Sequence, residues 1–220
     1  MPLTPTLLPD LIQSIDNIIE ANADEVTALD QAIGDGDHVT NIQRGIKALM
    51  AETNELAQLD WAAAWQKIGM TLMSAVGGAS GSLFGTLFVA MSNAARLHSE
   101  QNSTIDLTQF AMIFASGVDA VKQRGKADAG EKTMLDVLIP VAAYLQQAAQ
   151  DSIALSVVLD SVAKTAVTGM ESTKEMIATK GRASFLEERS KGYIDAGAKT
   201  SQLMICAIVT LLQANLTSPT

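Results

Sequence analysis

Helical periodicity runs through almost all of this 220-residue chain and constrains its fold more than any other feature. In the first segment the apolar residues with this spacing are Leu8, Leu11, Ile12, Ile15, Ile18 and Ile19. Such spacing places side chains on one face of a helix. The later apolar segments also lack the alternation of polar and apolar residues that half-buried strands show. The sequence therefore predicts an all-α protein.

The same pattern predicts about eight long helices joined by short connections. After the first helix, the predicted segments are 24–32, 38–56, 61–76, one starting near Ser80, 106–122, 132–149, 152–178 and 198–214. Asp60 is a candidate N-cap for the segment that ends at Gly77. Pro140 removes an amide donor and should kink or restart its helix. No long serine- or proline-rich stretch divides the chain, which favours one domain over residues 1–220.

Composition excludes several classes of partner and site. A hydrophobic content of 48% is ample for a buried core, and a net charge of -9 with a pI near 4.6 argues against a nucleic-acid partner. The single Cys206 excludes an internal disulfide and a cysteine-built metal site, and it fits a cytoplasmic protein. The N-terminus has no basic leader, and no uncharged apolar run reaches the length of a membrane span. We therefore expect neither a signal peptide nor a membrane segment.

Three aspartates lie within eight residues around a glycine-containing turn. Asp30, Asp35 and Asp37 alternate with Gly34 and Gly36, which let the backbone turn tightly. Hard divalent cations prefer oxygen ligands, and magnesium in phosphoryl-transfer sites is usually held by a few carboxylates. The loop lacks the glycine and the glutamate that an EF-hand needs at positions six and twelve. The loop is therefore a candidate magnesium site; alternatively, two of the aspartates cap the following helix and the first is a surface residue.

A glycine-rich turn, GGASGSLFG at residues 77–85, lies between two apolar helices. Glycines followed by Ser80 at a helix start can direct several backbone amides at an anion. The segment lacks the lysine of the P-loop and does not match the dinucleotide fingerprint. It is a candidate phosphate cradle, or else a tight turn whose small residues serve packing.

Two polar connections complete the candidate elements. One spans residues 123–136, and the other, the longest polar interruption, spans residues 178–200 and contains Arg182. Arginine suits bidentate phosphate contacts and stabilises charge on a transferring phosphoryl group. His38, beside the aspartates, is a candidate phosphate contact or a local hydrogen-bond partner. Both connections can alternatively be solvated surface segments.

The order of four segments is more specific than any one of them. GDGDHVTN, GGASG, RGKADAGEKTMLDVLIP and KGRASFLEERSKGYIDAGA together resemble the nucleotide-binding L subunit of dihydroxyacetone kinases and the C-terminal nucleotide domain of single-chain dihydroxyacetone kinases. The resemblance covers nearly the whole chain. It implies a closed barrel of about eight antiparallel helices that binds ADP or ATP and two magnesium ions at one end, with Asp30, Asp35 and Asp37 as metal ligands.

The resemblance also assigns residues to the nucleotide and its phosphates. They are His38, Val39, Thr40, Asn41, Ala79, Ser80, Gly125, Met134, Arg182, Asp195, Ala196 and Gly197. Arg182 and His38 would be catalytic, and Met134 would form an apolar wall. Val39 and Ile42 stand where the family commonly has glycine and methionine. A positive φ would strain Val39, whereas a helix start would tolerate it.

The implied function is phosphoryl transfer to dihydroxyacetone held on a histidine of a separate K subunit. The expected mode keeps ADP bound as a coenzyme, which a phosphocarrier M subunit recharges at the expense of phosphoenolpyruvate. An alternative is a kinase subunit that exchanges ATP and acts on another small keto-sugar. Two further alternatives are a nucleotide-sensing regulatory protein and a purely structural helical bundle.

Overall fold

The computed structural model describes residues 3–98 and 104–217, and within them every regular element is helical apart from one isolated bridge between Leu3 and Ile105. The α-helices are α1 (Leu8–Ala21), α2 (Ala23–Ile33), α3 (His38–Met50), α4 (Thr53–Leu56), α5 (Trp61–Ala75), α6 (Gly78–His98), α7 (Leu107–Gly125), α8 (Leu135–Gln150), α9 (Leu155–Ser172) and α10 (Ala196–Thr217). Three 3-10 segments are Pro5–Leu7, Thr173–Glu175 and Arg182–Ser190. The all-α prediction is confirmed.

Eight of these helices pack side by side in a closed ring. α1 contacts α3, α3 contacts α5, each helix from α5 to α10 contacts the next, and α10 returns to α1. The short α2 contacts α3, α10 and the segment Arg182–Ser190, so it lies where the candidate site residues gather. The closed eight-helix barrel is confirmed.

α10 is the one helix in the described ranges that is long and apolar enough to cross a membrane by length and composition. It contains Lys199, whose ammonium group lies 2.9 Å from the carboxylate of Glu25 on α2. α10 packs between α9 and α1 as a member of the ring.

Side-chain caps begin α5 and α7, and the cap of α5 is one that the sequence predicts. The carboxylate of Asp60 accepts a hydrogen bond of 2.7 Å from the amide of Ala63, which confirms the predicted cap of α5. Asp106 and Gln109 form a reciprocal capping box at the start of α7. The predicted segment 38–56 is instead divided into α3 and α4.

Two predicted boundaries are wrong because residues there adopt left-handed backbone conformations. α8 begins at Leu135 rather than at position 132, because Lys132 has a φ of 60°. α9 begins at Leu155 rather than at position 152, because Ser152 has a φ of 53°. α9 also ends at Ser172 instead of near 178, where the chain turns into a 3-10 segment. Periodicity of apolar residues does not reveal such turns.

Of the two outcomes predicted for Pro140, a kink or a restart, the restart does not occur, because α8 is continuous from Leu135 to Gln150. Proline cannot donate a hydrogen bond to the carbonyl of Asp136, four residues before it. The buried residues Val137, Leu138 and Val141 hold this part of α8 in the core. Their burial is worth about 1.5–3 kcal/mol each, and together it exceeds the roughly 3 kcal/mol that a proline costs inside a helix.

The backbone of α9 lies directly against that carbonyl at Gly169. A Cβ atom at Gly169 would overlap the Asp136 carbonyl oxygen and lie 3.1 Å from the Asp136 carbonyl carbon and from the Val137 Cα. All three are backbone atoms, which cannot rotate away. The contact between α8 and α9 therefore requires glycine at this position.

We expect Gly169→Ala to lower the free energy of unfolding by about 2–3 kcal/mol, as overpacking does, despite the higher helix propensity of alanine. Urea unfolding followed by circular dichroism measures this change. Thr168→Ala, at the adjacent exposed position of α9, is the matched control and should be neutral or slightly stabilising. A Gly169→Ala variant as stable as the wild type would show that α8 and α9 separate without cost.

Candidate metal and nucleotide site

The three aspartates predicted as metal ligands come together at the α2–α3 connection. Asp30 lies in the last turn of α2, and Asp35 and Asp37 lie in the loop before α3. One carboxylate oxygen from each lies within 4.8 Å of the others. Oxygens on opposite sides of one magnesium ion are about 4.2 Å apart, since each lies about 2.1 Å from the metal. The three groups therefore need to move little to bind one ion.

The two glycines of this loop serve different purposes. Gly36 has a φ of 76°, so it supplies the expected left-handed turn. Gly34 does not: its φ is -136°, and a Cβ atom there would overlap the carboxylate of Asp30. Glycine at this position instead leaves room for the carboxylate of a candidate ligand.

Arg182 reaches the same carboxylates from the long polar connection between α9 and α10. Its Nη2 atom lies 2.9 Å from Oδ2 of Asp35, and its side chain is 72% exposed. An exposed pair of this kind adds little to stability. The guanidinium is therefore available to a ligand that binds beside the aspartates.

His38, the first residue of α3, connects three parts of the site. Its amide donates to Oδ2 of Asp30 at 3.0 Å. Its Nδ1 atom lies 3.1 Å from the hydroxyl of Ser80 on α6, and its Nε2 atom lies 3.0 Å from the hydroxyl of Thr200 on α10. Through its amide and its imidazole, His38 thus holds the candidate metal loop (residues 30–37), the glycine-rich turn and the start of α10 together.

The hydrogen-bond pattern around Thr200 assigns the tautomer of His38. The Thr200 hydroxyl lies 3.1 Å from the carbonyl oxygens of Ala196 and Gly197, so its proton is directed at the backbone. It therefore accepts from Nε2–H of His38, and Nδ1 accepts from Ser80. Burial holds the pKa of the His38 imidazole below its usual value, although the carboxylates of Asp30, Asp37 and Asp35 act in the opposite direction.

The other residues of the 38–41 segment lie in the first turn of α3. Val39 and Asn41 are buried, Thr40 is exposed, and Val39 is not among the residues with positive φ. Val39 thus opens a helix without backbone strain. The carboxamide oxygen of Asn41 accepts from Arg44 at 3.1 Å and lies against Gly77.

The glycine-rich turn forms the first turn of α6. α6 begins at Gly78, whose φ is 66°, and Ala79 and Ser80 follow directly. Amides in the first turn of a helix have no intrahelical acceptor and attract anions. Gly125, at the end of α7, lies beside this helix: a Cβ atom there would be 3.5 Å from Leu83.

The start of α10 and Met134 lie on the remaining side of the candidate nucleotide site. Asp195 caps α10, because its Oδ2 atom accepts from the amide of Ala198 at 2.7 Å. Met134 is buried next to Gly197, where a Cβ atom would lie 3.7 Å from the Met134 Cβ. Burial, reinforced by the charges of Asp136 and Asp30, raises the pKa of the Asp195 carboxyl to about 6, against the hydrogen bond from Ala198 and the charge of Lys132.

Sequence reasoning missed Thr200, Lys132 and Asp136. Lys132 and Asp136 are only 1% and 4% exposed, so the 123–136 connection is not simply a solvated segment. Asp136 accepts from the amides of Gly130 and Thr133 at 2.5 and 2.8 Å. The position of Thr200, one helical turn after Ala196, is the only sequence signal that could have included it; nothing in the sequence marks Lys132 as buried.

Comparisons with known proteins agree on one family. The model of the DAK2 domain matches residues 32–210. The "PEP-dependent dihydroxyacetone kinase, ADP-binding subunit DhaL" of Escherichia coli is 36% identical over 205 residues, which are 93% of this chain and 96% of that protein. The "PEP-dependent dihydroxyacetone kinase 1, ADP-binding subunit DhaL" of Listeria innocua is 40% identical over 191 residues, which are 87% and 88% of the two chains.

A solved structure shares the fold. The dihydroxyacetone kinase from C. freundii in complex with AMP-PNP and Mg2+ matches 96% of this chain with a TM-score of 0.71 at 21% identity. This chain spans 35% of the length of that kinase chain. Asp30 lies two residues before the segment that the family model matches.

Proposed function

The chain belongs to the DAK2 domain family, and from this premise we propose that it is the ADP-binding subunit of a dihydroxyacetone kinase. In this proposal it works as one nucleotide-binding domain over residues 1–220 and transfers a phosphoryl group from magnesium-bound nucleotide to dihydroxyacetone. The acceptor is held on a separate K subunit. ADP stays bound as a coenzyme that a phosphocarrier M subunit recharges, and the protein acts in the cytoplasm.

One observation carries the proposal. The guanidinium of Arg182 contacts the carboxylate of Asp35, and the neighbouring His38 hydrogen-bonds to Ser80 at the start of α6. Carboxylates, an arginine and a helix N-terminus are the groups that bind metal ions and phosphates in phosphoryl-transfer sites. These groups come from three separate parts of the sequence, at residues 30–38, 78–80 and 182. A purely structural barrel gives no reason for bringing them to one place.

The aspartates and the helix starts would bind the nucleotide phosphates. Asp30, Asp35 and Asp37 would hold two magnesium ions, which neutralise charge on the phosphates. The amides of Ala79 and Ser80 would bind phosphate oxygens at the start of α6. At the start of α3, the amide of His38 donates to Asp30 and the amide of Asn41 donates to the carbonyl of Asp37, so the amides of Val39 and Thr40 would serve the same purpose.

Arg182 and His38 would act on the transferring group. The exposed guanidinium of Arg182 can leave Asp35 once magnesium neutralises that carboxylate, and it can then stabilise charge on the phosphoryl oxygens. His38 would keep Ser80 and the start of α10 in register with the metal loop. Met134, Gly125 and residues 195–197 would line the nucleotide on its other sides.

Analysis of the natively purified protein tests this proposal. Intact mass spectrometry, with assay of heat-released nucleotide and of metal, should find ADP and about two magnesium ions. An empty protein that binds added magnesium ATP and exchanges it would favour the ATP-exchanging kinase. A protein that binds neither nucleotide would contradict the proposal.

Transfer to a partner is the second part of the test. We expect the ATP-loaded protein to phosphorylate dihydroxyacetone only when the K subunit is present. Nucleotide binding without transfer to a competent K subunit would instead support a regulatory, nucleotide-sensing role.

A further inference from the structure

The polar connection that carries Arg182 is closed at its base by a narrow neck. Thr173 and Lys174 leave α9 at one side of the neck, and residues 192–195 approach α10 at the other. The amide of Gly192 donates to the carbonyl of Lys174 at 2.8 Å, and the amide of Asp195 donates to the hydroxyl of Thr173 at 3.1 Å. The neck therefore determines both where the loop starts and where α10 begins.

Lys132 joins the two sides of this neck from a third segment. Its ammonium group donates to the carbonyl of Thr173 at 2.5 Å and to the carbonyl of Tyr193. An ammonium group has three donors and no acceptor, so it suits a position between backbone carbonyls. Lys132 is 1% exposed, and it has Asp195, Asp136 and Glu175 as neighbouring negative charges.

The backbone at Lys132 is itself held in an unfavourable conformation. Its φ is 60°, a value that residues other than glycine rarely adopt. Such a conformation persists only where the surroundings determine it, and it is typical of functional sites. Two residues later the chain reaches Met134, which packs beside Gly197. Lys132, whose ammonium group holds the neck, and Met134, the proposed apolar wall of the nucleotide site, thus lie in one short segment.

We propose that Lys132 is a positioning residue for phosphoryl transfer: by holding both sides of the neck, its ammonium group sets where Arg182 and the Asp195–Gly197 segment stand relative to the nucleotide. This inference rests on the proposed function. Without the ammonium group, two carbonyls lose their donor and the loop has one fewer restraint at its base. Arg182 then samples more positions, and fewer of them reach the phosphoryl group.

Two variants that remove the ammonium group in different ways test the proposal. Lys132→Met keeps the length of the side chain, and Lys132→Gly relieves the left-handed backbone instead. We expect both to lower magnesium ADP affinity at least tenfold and to lower the transfer rate at saturating nucleotide by a further factor of ten or more. Isothermal titration and a transfer assay with the K subunit measure these two effects.

Lys126 supplies the matched control. It lies in the same connection, has a φ of 48° and is exposed. Lys126→Met and Lys126→Gly should keep wild-type affinity and transfer rate. Circular dichroism and a cooperative thermal unfolding transition identify folded variants. We expect the increase in Tm on adding magnesium ADP to shrink only when Lys132 is changed.

The outcomes separate this inference from the proposed function. A wild-type protein that binds no nucleotide contradicts the proposed function itself. If the wild type binds nucleotide and either folded Lys132 variant matches it in affinity and transfer rate, only the role of Lys132 is overturned. If Lys132→Met does not fold, Lys132→Gly decides, because it removes the backbone strain. If neither variant folds while both Lys126 variants do, Lys132 is a structural residue and the positioning role is also overturned.

Discussion

The double variant Asp35→Asn and Asp37→Asn should lose magnesium-dependent nucleotide binding almost completely. Both side chains keep their size but lose the charge that attracts a hard cation, and Asp30 alone remains. Changes at groups that only support metal ligands already cost about 10–100-fold in metal affinity, so loss of two direct ligands should cost about a hundredfold or more. Isothermal titration with ADP, with and without magnesium, measures the effect.

An exposed aspartate elsewhere on the barrel provides the control for this experiment. Asp119→Asn on α7 removes the same kind of charge and should leave nucleotide affinity unchanged. Asp35 and Asp37 are exposed, so the double variant should unfold close to the wild-type temperature. Wild-type affinity in the folded double variant would rule out these aspartates as the metal ligands.

Replacement of Arg182 by methionine should slow phosphoryl transfer by about a thousandfold, the lower end of the contribution that arginines make to such reactions. Nucleotide affinity should fall far less, because the aspartates and the helix starts remain. Lys in place of Arg182 should restore only part of the rate, since an ammonium group cannot bind two phosphoryl oxygens in a fork. Single-turnover transfer from the ATP-loaded protein to the K subunit measures the rate.

Arg189 lies in the same 3-10 segment and is also exposed, so Arg189→Met controls for the loss of a positive charge near the site. It should transfer at the wild-type rate. Equal rates for Arg182→Met and the wild type would show that Arg182 takes no part in the chemistry.

The clustering of the three aspartates in the candidate metal loop was predictable because they lie within eight residues of one another. A turn that contains Gly36 brings such close neighbours together whatever the rest of the fold does. The helix start at the glycine-rich turn was predictable from its glycines and Ser80, whereas the roles of this turn and of Arg182 toward phosphate stay predictions from residue type. The sequence predicted the boundaries of the helices less well. Lys132 and Ser152 adopt left-handed conformations that no periodic pattern reveals.

Thr200 and Lys132 were not predictable, because their roles depend on contacts across the fold. Thr200 contacts His38, which lies 162 residues away in the sequence, and Lys132 contacts Thr173, which lies 41 residues away. A threonine in a helix and a lysine in a polar connection are ordinary surface residues by composition. Only the closure of the ring places one against the imidazole and encloses the other between two carbonyls.

The sequence by itself determined that the chain is helical, where its candidate metal loop and phosphate turn lie, and which family it resembles. These properties depend on spacing along the chain and on side-chain chemistry, both of which are local. The tertiary structure alone decided that His38 joins three segments, that Arg182 faces Asp35, and that Lys132 holds the neck of the loop. Those contacts join segments that are far apart along the chain, and the packing of the helices in the ring fixes their positions.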